Sequence, residues 1–167
     1  MSFLRRFMQL GGFHGVIVMS IYKTGNFIYY RFNIPILKHL LFFVYLLTDY
    51  FIVRTVLGCE FPAKCKIGKN IRLPHGGKGI IIEKSVVIGD NVTLFHQVTL
   101  GINKTNESPI IGNGVFIGTG AKILGSVTVG DNSKIGANAV VIKDVPPNST
   151  AVGIPASVTQ NKKIVNS

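Results

Sequence analysis

The sequence predicts an all-β solenoid: a parallel β-helix of hexapeptide repeats with an N-terminal α-helical cap. Three observations predict it. An aliphatic residue recurs at every sixth position, from Ile111 through Ile117, Ile123, Val129 and Ile135 to Val141. A small or slim residue follows four places after each, namely Val115, Ala121, Val127, Ser133, Ala139 and Val145. Residues 1–58 lack the period and are rich in Phe, Tyr, Leu and Ile. A period of six is neither the 3.6 of an amphipathic helix nor the two of an isolated strand. It marks short parallel strands stacked in a coil.

Taken in order, residues 1–58 form the helical region. One helix is expected near 13–30 and a second near 35–56, parted by Asn33 and Pro35; proline is tolerated in a first helical turn. The second is apolar almost all round, with Lys38, Tyr45 and Asp49 on a narrow polar stripe. Its uninterrupted apolar run, Leu40 to Leu47, is eight residues, short of the roughly twenty that a membrane span needs. The region carries six Lys and Arg against one acid, Asp49. The leading reading is a cap that buries its apolar face on the coil or on another subunit. Peripheral contact of residues 1–58 with an anionic membrane is the second.

Residues 59–156 form the β-helix and 157–167 a C-terminal tail. Upstream of Ile111 the rhythm runs through Ile67, Leu73, Ile82, Ile88, Leu94 and Leu100. Three hexads make one triangular turn of about eighteen residues, with aliphatic side chains inward and strand backbones paired with the turns above and below. Gly, Asn and Asp at the corners suit tight bends. Two breaks interrupt the series, at HGGKG after Leu73 and at GINKTNESP, residues 101–109. Insertions into a solenoid often mark the binding face.

The net charge of +11, from 18 Lys and Arg against 7 Asp and Glu, favours an anionic partner. Nucleic acid is set aside, for the chain has no recognition helix, RNA-binding aromatic motif or basic cluster. Cys59 and Cys65 fall on adjacent sides of one turn, where they do not stack into a disulfide, and their spacing matches no zinc motif. A cytoplasmic setting is expected, at the inner face of the cell membrane if the cap touches lipid.

His75 sits two residues after inward Leu73, and His96 two after inward Leu94. Their separation of 21 is one turn plus the three-residue excess, so they should share a corner in successive turns, about 5 Å apart. No third histidine is near, so no metal site is expected. An imidazole here suits a general base. Glu60, fifteen residues before His75 and the sole acid in 50–82, is the candidate to orient it.

The phrases IGKNIRLPHGGKGIII, VVIGDNVTLFHQVTLG, IIGNGVFIGTGAKILGSVTVGDNSKIGANAVVIKDVPP and VGIPA resemble the hexapeptide-repeat acyltransferases, in particular the serine acetyltransferase group. The cap followed by LGCEFPAKCKIGKNI looks most like the exopolysaccharide and capsule acetyltransferases of the colanic acid type. The resemblance implies a left-handed coil, a homotrimer with active sites between coils, and acetyl-CoA as donor. It places His75 on the catalytic histidine and Glu60 on its carboxylate partner. It puts Gly101, Gly118, Thr119, Gly136 and Ala137 along the pantetheine arm, while Lys122, Lys143 and the tail pair Lys162-Lys163 would draw the phosphates. His96 is expected to assist at the acceptor or the carbonyl. The group's serine-holding Asp is Pro74 here, and its Arg-His pair is Glu107-Ser108. The expected acceptor is therefore a saccharide hydroxyl. A serine O-acetyltransferase of cysteine synthesis is the alternative, and a non-catalytic scaffold a further one.

Overall fold

The computed structural model describes residues 3–160 apart from 105. Three helices, α1 (Phe3–Gln9), α2 (Phe13–Arg31) and α3 (Pro35–Thr48), lead into the coil, and α3 runs on with π-helical pitch over Asp49–Val56. Thirteen short strands follow among the described residues: β1 (Lys66–Ile67), β2 (Ile81–Ile82), β3 (Val87–Ile88), β4 (Thr93–Leu94), β5 (Thr99–Gly101), β6 (Ile110–Ile111), β7 (Phe116–Ile117), β8 (Lys122–Leu124), β9 (Thr128–Val129), β10 (Lys134–Ile135), β11 (Val140–Val141), β12 (Ser149–Val152) and β13 (Ser157–Gln160).

The strands form three sheets, and from β2 to β11 strands three apart in sequence share one. The first sheet runs β1-β3-β6-β9, the second β4-β7-β10-β12 with β13 at its edge, and the third β2-β5-β8-β11. All pairs are parallel except β12 with β13. This is a three-sided coil. Isolated bridges from Glu60 to Ile81, Arg72 to Thr93 and Val129 to Val145 extend the three sides beyond the strands. The tail begins as β13, antiparallel to β12; Lys162-Lys163 lie outside the described residues.

Register turns the sequence period into a core. Ile82, Leu100, Ile123 and Val141 stack on one side, Ile88, Ile111 and Val129 on another, and Leu94, Ile117, Ile135 and Ala151 on the third. None of these is more than 2% exposed. The slim residues fill the corners between them; Ser133, the polar one, lies with its Oγ 2.7 Å from Gly130 O and 2.9 Å from Pro146 O. Asparagines take left-handed backbone at outer corners, with φ of 55° at Asn70, 59° at Asn91 and 57° at Asn132, a conformation their short polar side chains tolerate.

The cap is bonded to the first turn. Tyr22 donates its hydroxyl to Cys65 O at 3.0 Å and accepts from Ile67 N at 3.1 Å. Asn26 Nδ2 donates to Ala63 O at 2.8 Å. Helices α2 and α3 cross where Gly25 leaves room for the Tyr45 ring; any Cβ at Gly25 would overlap it.

Helix α3 does not bury its apolar face on the coil of its own chain, one of the two placements expected. Its polar stripe, and not its apolar face, meets the coil of its own chain. Tyr45 is buried and accepts from Ala63 N at 3.1 Å, and Asp49 is buried against Arg54. Its apolar side faces outward, with Ile36 87% and Phe43 58% exposed. Pro35–Val56, 22 residues, is also long and apolar enough by length and composition to cross a membrane. The eight-residue uninterrupted run understated this, because it stops at His39 and Thr48, whose side chains bond back to Pro35 O and Val44 O within the helix.

Candidate active site

The corner joining the second sheet to the third gathers most of the expected residues. His75 lies two residues past Leu73, His96 two past Leu94, Thr119 two past Ile117 and Ala137 two past Ile135, and these inward residues share one sheet. The corner is thus a column with two imidazoles at its lower end and small residues above.

The HGGKG break is what lifts His75 out. Gly76, Gly77 and Gly79 adopt φ of 69°, 85° and 67°, where a side chain would be strained. The excursion is pinned at both ends: Gly76 N donates to Leu73 O at 2.9 Å and Gly79 N to Gly58 O at 3.0 Å. The α1–α2 joint braces it. Gln9 O accepts from Leu73 N at 2.8 Å, Gly11 packs against the backbone of Leu73, Pro74 and Gly76, and His14 packs against Gly76. No periodic signal in the sequence ties His14 to a loop 61 positions away.

His75 is exposed and His96 half-buried. Their rings meet edge to face with centroids 4.6 Å apart and an interplanar angle of 80°. Phe95 flanks His75 at 5.8 Å, and Phe116 flanks Phe95 at 5.2 Å. This aromatic border was also missed. Its sequence signal is an outward Phe beside inward Leu94 and another beside inward Ile117. His96 Nδ1 is buried without a hydrogen-bond partner among the described residues. A hydrogen on that nitrogen would be an unmet buried donor, so the less costly tautomer carries it on Nε2.

The column above the imidazoles is a close-packed track. Gly118 N donates to Ile135 O at 2.9 Å, and a Cβ on Gly118 would lie 2.7 Å from Ala137 N. Gly136 N donates to Ala151 O at 2.9 Å, and a Cβ on Gly136 would lie 2.7 Å from Val152 Cγ1. Thr119 and Ala137 therefore present little bulk along the edge. Such a track admits a slim extended chain, and the Lys122 ammonium, held at 2.7 Å by Gln97 O, puts positive charge beside it.

Other expected residues lie elsewhere. Gly101 and Lys143 follow Leu100 and Val141, so they belong to the corner between the third sheet and the first, together with loop 102–109. Glu60 does not reach His75. Its backbone is locked beneath Ile81, with Glu60 N donating to Ile80 O and Ile82 N to Glu60 O, and its carboxylate accepts from Arg54 Nη1 at 3.0 Å. Arg54 Nε in turn donates to Asp49 Oδ2 at 2.8 Å. Glu60 keeps its register below the following strand, where Arg54 takes its carboxylate.

Both cysteines are buried and free. Burial, aided at Cys59 by the nearby Asp49 and Glu60 carboxylates, pushes each thiol up to about 12. Neither is a thiolate nucleophile near neutrality. No group of three or more His, Cys, Asp and Glu able to hold a metal occurs among the described residues.

A coil of hexads with an imidazole-bearing edge defines the class of hexapeptide-repeat transferases, and the family model for the bacterial transferase hexapeptide (six repeats) matches residues 108–143. The serine acetyltransferase of Helicobacter pylori is 44% identical over 115 residues, covering 66% of this chain and 67% of that protein. That of Bacillus subtilis is 47% identical over 116 residues, 67% of this chain and 53% of that one. Among solved structures, soybean serine acetyltransferase complexed with serine superposes with a TM-score of 0.76 at 31% identity, covering 88% of this chain and 58% of that one. Serine acetyltransferase from Brucella abortus in complex with coenzyme A gives 0.72 at 30%, over 87% and 55%. The chain belongs to the serine acetyltransferase-like group of hexapeptide-repeat acyltransferases. It spans about two thirds of the Helicobacter protein and little more than half of the others.

These relatives overturn one expectation. A saccharide acceptor and a place in polysaccharide synthesis were inferred from Pro74 and Glu107-Ser108. Proteins sharing 40–47% identity with this chain are serine acetyltransferases. Two or three substituted contacts are a weaker guide to the acceptor than likeness along the whole coil.

Proposed function

We propose that the chain is a serine O-acetyltransferase, moving the acetyl group of acetyl-CoA to the hydroxyl of L-serine with His75 as general base. The observation that carries this reading is the exposed His75 imidazole at the foot of a slim, lysine-bordered track, in a coil 44% identical to a serine acetyltransferase. His75 takes the hydroxyl proton as the serine oxygen attacks the thioester carbonyl. The C–S bond then breaks, and the imidazolium returns the proton to the departing coenzyme A thiolate. The pantetheine arm lies along Gly118, Thr119, Gly136 and Ala137, with Lys122 toward the phosphates. His96, packed against His75, fixes the ring and touches the acceptor or the carbonyl oxygen. Glu60 acts through its charge in the Arg54 network and not by direct contact with His75.

The assembly proposed is a homotrimer of left-handed coils. Gly101, Lys143 and loop 102–109 stand on a different corner from the imidazoles, so one protomer's loop corner completes its neighbour's imidazole corner about a threefold axis. Pro74 and Glu107-Ser108 leave serine's ammonium and carboxylate to weaker contacts. At roughly 1.5–3 kcal/mol per charged hydrogen bond, the loss should appear as a high KM for serine.

The test is thiol release from acetyl-CoA with free L-serine, with O-acetylserine identified by mass. Serine-dependent release that saturates only at high serine is the expected result. Release that is independent of serine, or none at any serine concentration, would falsify the proposal.

A further inference from the structure

Along α3 and its extension Tyr45 and Asp49 are turned to their own coil, while a row of large apolar residues faces away. Ile36, Leu40, Phe43, Leu47 and Phe51 recur at helical spacing along one outward stripe, each at least 44% exposed. In the most apolar eighteen-residue window of Pro35–Val56, 17% of residues are buried. From Ile36 to Phe51 the stripe runs for roughly 22 Å at about 1.5 Å per residue, well beyond the scattered exposed apolar residues of an ordinary surface.

Charge beside the stripe is one-sided. Lys38 and Lys64 lie 5.8 and 5.3 Å over the Tyr29 ring next to α3. Lys64 and Lys84 line the cleft between Phe42, Leu46 and the coil, and Lys66 joins them in the adjoining cleft. Of the acids nearby, Asp49 and Glu60 are both bound by Arg54, leaving Glu83 in the cleft. A second copy docked stripe to stripe would bring these lysines to their own counterparts. An anionic bilayer brings the complementary charge.

We infer that α3 lies in the interface of an anionic phospholipid bilayer, apolar stripe downward, with the coil in water. The helix docks and does not span. Crossing would tear Tyr45 from Ala63 and carry Asp49 and Arg54 into hydrocarbon, where charge is costly. Lying flat keeps those bonds and still buries the stripe. The inference is independent of the acceptor, since no stripe residue belongs to the imidazole corner.

The experiment is co-sedimentation of the full chain with vesicles of phosphatidylglycerol and phosphatidylcholine, or of phosphatidylcholine alone, at low and high salt. The exposed-face double variant Phe43→Glu with Leu47→Glu is run in parallel, with light scattering for mass and thiol release for activity. Expected are binding to the anionic vesicles, weakening at least roughly tenfold at high salt and in the double variant, and unchanged mass and turnover. Equal binding to neutral vesicles overturns the inference, as does undiminished binding by the variant. A variant that falls to a smaller oligomer shows the stripe to be an interface between copies and overturns it as well.

Discussion

At the residue scale, burial and register decide which groups are reactive. Cys59 and Cys65 show it most clearly, for both thiols are desolvated and held near 12, against about 8.5 for an unfolded thiol. A pKa raised in the folded state means that the folded chain keeps protons the unfolded chain releases. Their contribution to stability is therefore whole below about pH 8.5 and is lost as pH rises toward 12. Tyr22 and Tyr45, also raised by burial, act in the same direction; Lys23, lowered by burial and by Arg6, acts against it. The urea midpoint should fall steadily from pH 8 to 11, and fall less when both cysteines are replaced by alanine. An unchanged slope in that variant would remove the thiols from the alkaline limb. At the same scale His75 and His96 were legible, because a separation of one turn plus three residues fixes a shared corner. The Glu60 partner was not. Sequence spacing counts residues along the coil, whereas a carboxylate at the junction is taken by whichever cation the cap delivers, here Arg54.

At the element scale, each hexad strand is too short to stand alone and is held by neighbours a turn away, so the period of six carried the core without error from Ile82 to Val141. The helical cap was harder to read. Helices near 13–30 and 35–56 match α2 and α3, but seven-residue α1 has no length of pattern to announce it. The facing of α3 depends on one close approach, Gly25 against the Tyr45 ring, which seats the polar stripe on the coil. Gly25→Val would push the helices apart and loosen the Tyr45–Ala63 bond, at a cost of about 1–3 kcal/mol. Urea unfolding should show that loss, while turnover in the surviving folded protein stays near normal. A variant as stable as the parent would mean that the crossing does not hold the cap.

At the scale of the whole molecule, the two insertions divide the labour of the coil. HGGKG raises an imidazole on one corner; loop 102–109 stands on another, and in the proposed trimer a neighbouring copy brings such corners together. Composition anticipated an anionic partner, and the repeats anticipated the class, but the acceptor was misread from three positions. Contacts to a small substrate are few and replaceable, so their loss predicts affinity better than identity. In the proposed mechanism the raised imidazole of His75 is the base. The most direct measurement of that role is kcat for His75→Ala with acetyl-CoA and saturating L-serine, on protein shown by light scattering and circular dichroism to keep its assembly and fold. A fall of about 10²–10⁴-fold is expected for loss of a general base; turnover within a few-fold of the unsubstituted protein contradicts it.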